Sequence, residues 1–120
     1  MTGLIIDHRE VRLTGGNLRN GHIYLKAILD FDFFFPREAV GGSDKTQIAA
    51  RPLTVTFVPG MTVQSDITGP DRFGRPGRSK HCFLRNRGAV RDFFERSGAK
   101  LDDVVQITRT GPYAYTFSLG

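Results

Sequence analysis

Val105-Gln106-Ile107-Thr108-Arg109-Thr110-Gly111-Pro112-Tyr113-Ala114-Tyr115-Thr116-Phe117-Ser118-Leu119 closes the chain. Val105 and Ile107 alternate with Gln106 and Thr108, and Tyr113, Tyr115, Phe117 and Leu119 alternate with Ala114, Thr116 and Ser118. A period of two places one set on the core face of a sheet and the other toward water. Gly111-Pro112 separates the two runs, so they read as a terminal hairpin. The same period recurs upstream. Leu53, Val55 and Phe57 alternate with Thr54 and Thr56; after the turn pair Pro59-Gly60, Met61, Val63 and Ile67 continue as a second strand. His22 to Leu29 and Phe31 to Phe35 read as two short strands or one broken one.

Helical spacing stands out at Ala89, Val90, Phe93 and Phe94, with Arg91, Asp92, Glu95 and Arg96 on the wet side. Asn86 is placed to cap this helix and Gly98 to end it. A shorter helical turn is expected at Pro36-Arg37-Glu38-Ala39-Val40, with Pro in first position and Gly41-Gly42 as the stop. About six or seven short strands with one good helix and one poor one suggest a small closed or half-closed barrel.

The chain has 120 residues, enough for one domain with its own core. One cysteine, Cys82, excludes an internal disulfide and a four-cysteine zinc site. No apolar run approaches the roughly 20 residues that span a bilayer. The first residues lack a basic region and an apolar stretch, so a cytoplasmic location is expected rather than secretion. Seventeen Lys+Arg against twelve Asp+Glu leave a net charge of +5, which favours a polyanionic partner. Only Lys26, Lys45, Lys80 and Lys100 of these cations are lysines. Arg72, Arg75, Arg78, Lys80, Arg85, Arg87 and Arg91 follow one another with no acid between them. Arginine offers a planar fork that matches phosphate and the guanine edge. Two stretches fit neither period: the polar loop Gly41 to Gln47 and the Gly/Pro-rich basic loop Asp66 to Lys80. Long loops in compact domains are usually functional or disordered.

Catalytic patterns are scarce. Pro70-Asp71 is not followed by an acid-x-Lys element, so the metal site of a paired-carboxylate nuclease is incomplete. Asp30 and Asp32 share one face of a strand and would suit a hard cation, or simply pair with arginines. His8, His22 and His81 lack zinc spacing, and His81 and Cys82 point to opposite faces of a strand. No Gly-rich nucleotide cradle is present. No catalytic residue, metal or cofactor is expected.

The order of elements resembles a known family. Phe33-Phe34-Phe35-Pro36-Arg37-Glu38-Ala39-Val40 looks like the strand and turn of the plant "B-three" DNA-binding domain. Leu53 to Phe57, Gly60, and Thr62 to Asp66 resemble its central hairpin. His81-Cys82-Phe83-Leu84-Arg85-Asn86-Arg87-Gly88-Ala89-Val90-Arg91-Asp92-Phe93-Phe94 resembles its strand, Gly turn and helix. Asp102-Asp103-Val104-Val105-Gln106-Ile107 is similar to its Gly-Asp-x-Val turn into a strand, with Asp102 in place of the usual Gly. The bacterial branch, the specificity domains of restriction endonucleases of the EcoRII and BfiI types, is the closer likeness. It covers residues from about 22 to 119 and leaves 1–21 outside.

The length makes 1–120 a single domain. The resemblance implies a mainly β (α+β) fold, a seven-stranded open pseudobarrel with one or two short helices. It implies a non-catalytic, sequence-specific recognition domain for double-stranded DNA, gripped by two arms in the major groove. The domain would be monomeric in isolation and serve as the N-terminal specificity domain of a type II restriction endonuclease, with a fused C-terminal nuclease. The first arm falls on Lys26 to Asp32 and the neighbouring polar loop, with Arg37, Ser43, Asp44, Lys45 and Gln47. The second falls on Asp66 to Lys80, with Arg72, Arg75, Arg78 and Lys80. Asp66 or Asp32 would accept from a cytosine amino group or merely hold an arginine in place. Gln47 and Asn86 would read adenine or be ordinary exposed amides. The alternatives are a complete small metal-dependent nuclease using Asp30 and Asp32, and a single-strand or RNA-binding barrel. Against the latter, only Phe73 is interleaved with the loop arginines, whereas stacking platforms use several aromatics.

Overall fold

The computed structural model describes residues 8–25, 34–42, 46–68 and 82–120. Among them are eight strands in two sheets and two short helices. β1 (His8–Arg12) is followed by α1 (Gly15–Asn20), a 3-10 turn (Arg37–Ala39) and β2 (Val40–Gly41). Then come β3 (Leu53–Val58), β4 (Thr62–Ser65), β5 (Ile67–Thr68), β6 (Phe83–Leu84), α2 (Arg87–Ser97), β7 (Val104–Gly111) and β8 (Ala114–Leu119). The larger sheet has the order β1-β7-β8-β3-β4, and the smaller one β2-β5-β6. The architecture is mainly β, as expected.

The terminal hairpin forms as the alternation requires, β7 antiparallel to β8. β8 then runs parallel to β3, so Val55 faces Tyr115 and Phe57 faces Phe117. Leu53, Val55, Phe57, Val105, Ile107, Tyr115 and Phe117 are all buried on the shared face. α2 covers that face: Phe93 lies 5.3 Å, ring to ring, from Phe57, and Ala89, Val90 and Phe94 are buried beside it. The helix starts where Asn86 Oδ1 accepts from the Ala89 amide at 3.1 Å and stops at Gly98, which turns left-handed at φ 67°. Tyr115 and the Phe34–Phe35 pair close the core at another edge, where the Tyr115 hydroxyl donates to the Phe34 carbonyl.

Three expectations need correction. The second strand of the central hairpin does not run on to Ile67: it ends at Ser65, and Ile67–Thr68 belong to the other sheet. Ser65, Asp66, Ile67 and Thr68 are buried in succession, which ends the period of two where the chain changes sheets. The turn near Arg37 is one 3-10 turn preceded by Pro36, and Val40 already pairs with Ile67. Of the strand expected over His22 to Leu29, the described part makes a single bridge, Tyr24 to Phe83; Phe34 and Phe35 lie in a turn. β1 and α1 had no counterpart in the sequence reading. β1 is an edge strand with little apolar content, and Val11 is half-buried against the core. α1 is held by a capping box in which Thr14 and Asn17 exchange side-chain-to-backbone bonds at 3.3 and 2.7 Å.

Candidate nucleic-acid interface

The smaller sheet organises the candidate site. β2 and β5 run parallel, so Gly41 lies beside Thr68, and Thr68 lies beside Phe83 of antiparallel β6. Tyr24 bridges to Phe83 on the far side, and the Leu25 amide donates to the Cys82 carbonyl at 2.6 Å. Leu25, Gly41, Thr68 and Cys82 therefore gather at one end of this sheet. The chain enters 26–33 after Leu25 and 69–81 after Thr68, and it reaches 43–45 directly after Gly42, the residue next to Gly41. Lys26, Asp32, Ser43, Asp44, Lys45, Arg72, Arg75, Arg78 and Lys80 lie outside the described residues, as do Asp30 and His81.

Three of the candidate contacts are described. Arg37 is exposed on the 3-10 turn. Gln47 is exposed too, and its carbonyl accepts from the Gly42 amide at 2.8 Å, closing the base of the polar loop. A side chain at Gly41 would run into the Gln47 carbonyl and approach Asp66 Oδ2 to 2.6 Å, so the crossing is open to glycine alone.

Asp66 takes the arginine-holding role. Its side chain is 1 % exposed, and Arg85 grips it with Nε on Oδ1 at 2.6 Å and Nη2 on Oδ2 at 3.0 Å. The Ala49 amide donates to Oδ2 at 2.8 Å, and Arg85 Nη2 also reaches the Gly42 carbonyl at 2.8 Å. One buried ion pair thus ties β5 and β6 to both ends of the polar loop. Of the two roles expected for Asp66, this geometry is that of holding an arginine in place. An open groove of about 230 Å³ runs past the pair, lined by Ile48, Pro52, Gln64, Ser65 and Asn86. The Asn86 side chain is engaged in capping α2.

Beside β6 lies a cluster that the sequence reading did not single out. The His22 ring stacks on Phe83 at 3.7 Å and 12°, and Tyr24 meets both rings edge-on. Burial first, then the Arg87 and Arg91 guanidiniums, push the His22 imidazole below its ordinary value of 6.5. Arg87 Nε donates to the Asn20 carbonyl at 3.0 Å, at the C-terminal end of α1. Arg87 and Arg91 belonged to the basic run, and their spacing on a correctly read helix was the available clue. Elsewhere Glu38 is lowered by the Tyr113 hydroxyl, which donates to it at 2.7 Å, and Tyr113 is raised in return.

Among the described residues no group of three or more His, Cys, Asp and Glu side chains is placed to hold a metal ion. Cys82 is buried and reduced. No described helix is long and apolar enough to cross a membrane.

No family model matches the chain, and no curated protein matches it. Its fold is similar to a solved structure described as the N-terminal domain of Helicobacter pylori LlaJI.R1, with a TM-score of 0.57 and 15 % sequence identity over 94 % of this chain and 86 % of that one.

Proposed function

We propose that this chain is a non-catalytic domain for sequence-specific recognition of duplex DNA, a B-three-like pseudobarrel serving as the specificity module of a restriction endonuclease. The observation that carries this reading is the convergence of Leu25, Gly41, Thr68 and Cys82 at one end of the smaller sheet. Both stretches proposed as DNA arms are rooted there, one of them carrying Arg72, Arg75, Arg78 and Lys80. The fold similarity supports it, because LlaJI.R1 is by its designation a restriction-enzyme component, and its matching part is an N-terminal domain. In this reading the arms enter the major groove, the domain acts as a cytoplasmic monomer, and a nuclease domain is fused C-terminally.

The deciding experiment is selection of bound duplexes from a random library at physiological salt. A short reproducible consensus is the expected result; absence of enrichment would leave only a basic protein. Binding to the selected duplex should weaken linearly in log salt, with a slope of about −4 to −6 for the four to seven phosphates this charge can neutralise. In Mg²⁺ the duplex should remain intact. Nicking that disappears in Asp30→Ala or Asp32→Ala would replace this reading with a metal-dependent nuclease.

A further inference from the structure

We propose that Arg87 and Arg91 on α2, beside the His22–Phe83 stack, form a phosphate-backbone grip for duplex DNA, separate from the arms and indifferent to base sequence. The inference rests on the DNA-recognition reading and adds to it a contact surface on the helix.

Arg87 and Arg91 stand one turn apart, so their Cβ atoms are about 5–6 Å apart on one face. Both side chains are exposed. Like charges at this spacing repel and destabilise a helix unless something compensates them. Elsewhere in this part of the fold the chain supplies compensation: Arg96 pairs with Asp92 at 2.9 Å, and Arg85 pairs with Asp66. No described carboxylate pairs with Arg87 or Arg91.

The Arg87 guanidinium is held in place, and the Arg91 stem packs over a glycine. The Asn20 carbonyl fixes Arg87 through Nε. Arg91 lies across Gly21, where an added Cβ would come within 2.6 Å of its Cγ. Anchoring a long cation lowers the conformational entropy lost when its fork engages a ligand. The pair also bears on its neighbour: after burial, the positive field of the same two arginines disfavours a charged His22 imidazole.

Paired forks facing water beside neutral, stacked rings suit the phosphodiester backbone, whose oxygens take guanidinium forks. A duplex fits better than an isolated anion because two cations so spaced can meet neighbouring phosphates of one strand. The patch also borders β6, and the strand pair Tyr24–Phe83 leads directly to Leu25 and Cys82, where the proposed arms begin. Contacts of this kind set register and add affinity without reading sequence.

The test uses the full chain, the selected duplex and a scrambled duplex, titrated by fluorescence anisotropy across a salt series. Arg87→Ala/Arg91→Ala should weaken both duplexes by the same factor and make the salt slope shallower by about two, since each phosphate contact contributes about −0.9. Arg87→Lys/Arg91→Lys should keep the slope, and Arg96→Ala should behave as wild type. A partly unfolded variant would lower apparent affinity but not change the slope, so loss of stability cannot imitate the result. If wild type binds with its steep slope and the double alanine variant keeps that slope, the grip is overturned and the DNA reading survives. If the double variant erases the preference for the selected duplex, these arginines read bases and the proposal is wrong. Inorganic phosphate that, at constant ionic strength, displaces the duplex from wild type but not from the double variant would make this a site for free phosphate. A wild type that shows no salt-dependent duplex binding would remove the DNA reading itself.

Discussion

Asp66 and Arg85 illustrate how much a single pair can hold. The carboxylate is almost fully enclosed, and among the described residues its desolvation is repaid by the guanidinium and the Ala49 amide. Removing one partner of a buried pair leaves an uncompensated charge, and Asp66→Asn is expected to cost about 3 kcal/mol in urea unfolding. Asp92→Ala, which releases the exposed Arg96, should cost at most about 0.5 kcal/mol. Equal costs would mean that Arg85 finds another acceptor. His22 gives a pH dependence of definite sign. Its value is depressed in the folded state, so the unfolded chain binds the proton more readily. That contribution to stability is complete above the unfolded value of 6.5 and is lost as pH falls through the lower folded value. His22→Phe, which preserves the stack on Phe83, should therefore gain melting temperature relative to wild type as pH is lowered below 6.5. A constant difference between the two proteins across that range would show that His22 does not carry the effect.

Among the elements, α2 and the terminal hairpin were legible because each carries its whole instruction locally. A cap residue, a four-residue apolar stripe and a Gly stop define the helix; two alternating runs around Gly111-Pro112 define the hairpin. The turn before β7 was half legible. Asp102 occupies it at φ 72°, a left-handed conformation that suits glycine and strains most side chains. Asp102→Gly should raise unfolding stability by up to about 1 kcal/mol, the relief of strain being partly offset by a more flexible unfolded chain. A loss of stability would mean that the carboxylate makes a contact worth more than the strain. β4 and β5 were not separable, since Met61, Val63 and Ile67 keep strand character throughout while the chain changes sheets at a buried aspartate. β1 was invisible for the opposite reason. An edge strand with charged residues at His8–Arg12 shows no apolar alternation, and its pairing with β7 depends on a partner about a hundred residues away.

At the scale of the molecule, the proposed division of labour between reading and gripping can be measured directly. Arg75 and Arg78, in the Gly/Pro-rich middle of the basic loop, are proposed as base readers, and Lys45 and Lys80 as backbone contacts. Arg75→Ala or Arg78→Ala should cost about 1–3 kcal/mol on the selected duplex and much less on random DNA. Lys45→Ala and Lys80→Ala should weaken both duplexes alike and make the salt slope shallower by about one each. Competitive binding of these four variants at fixed salt decides it. Equal losses on both duplexes would make the loop an electrostatic grip and move the search for specificity to Lys26 to Asp32.

By itself, the sequence determined the mainly β class, the helix with both its ends, the terminal hairpin and the concentration of arginine. Each of these follows from local periodicity, turn chemistry or composition, which neighbouring residues carry between them. Only the tertiary structure decided that Asp66 is a buried anchor, that β5 leaves the sheet of β4, and that Arg87 and Arg91 bring their charge to bear on His22. Those facts depend on contacts between residues such as Arg85 and Gly42, 43 positions apart. The physical reason is that burial and charge compensation are set by what packs against a side chain, and no period in the sequence records which distant segment that is.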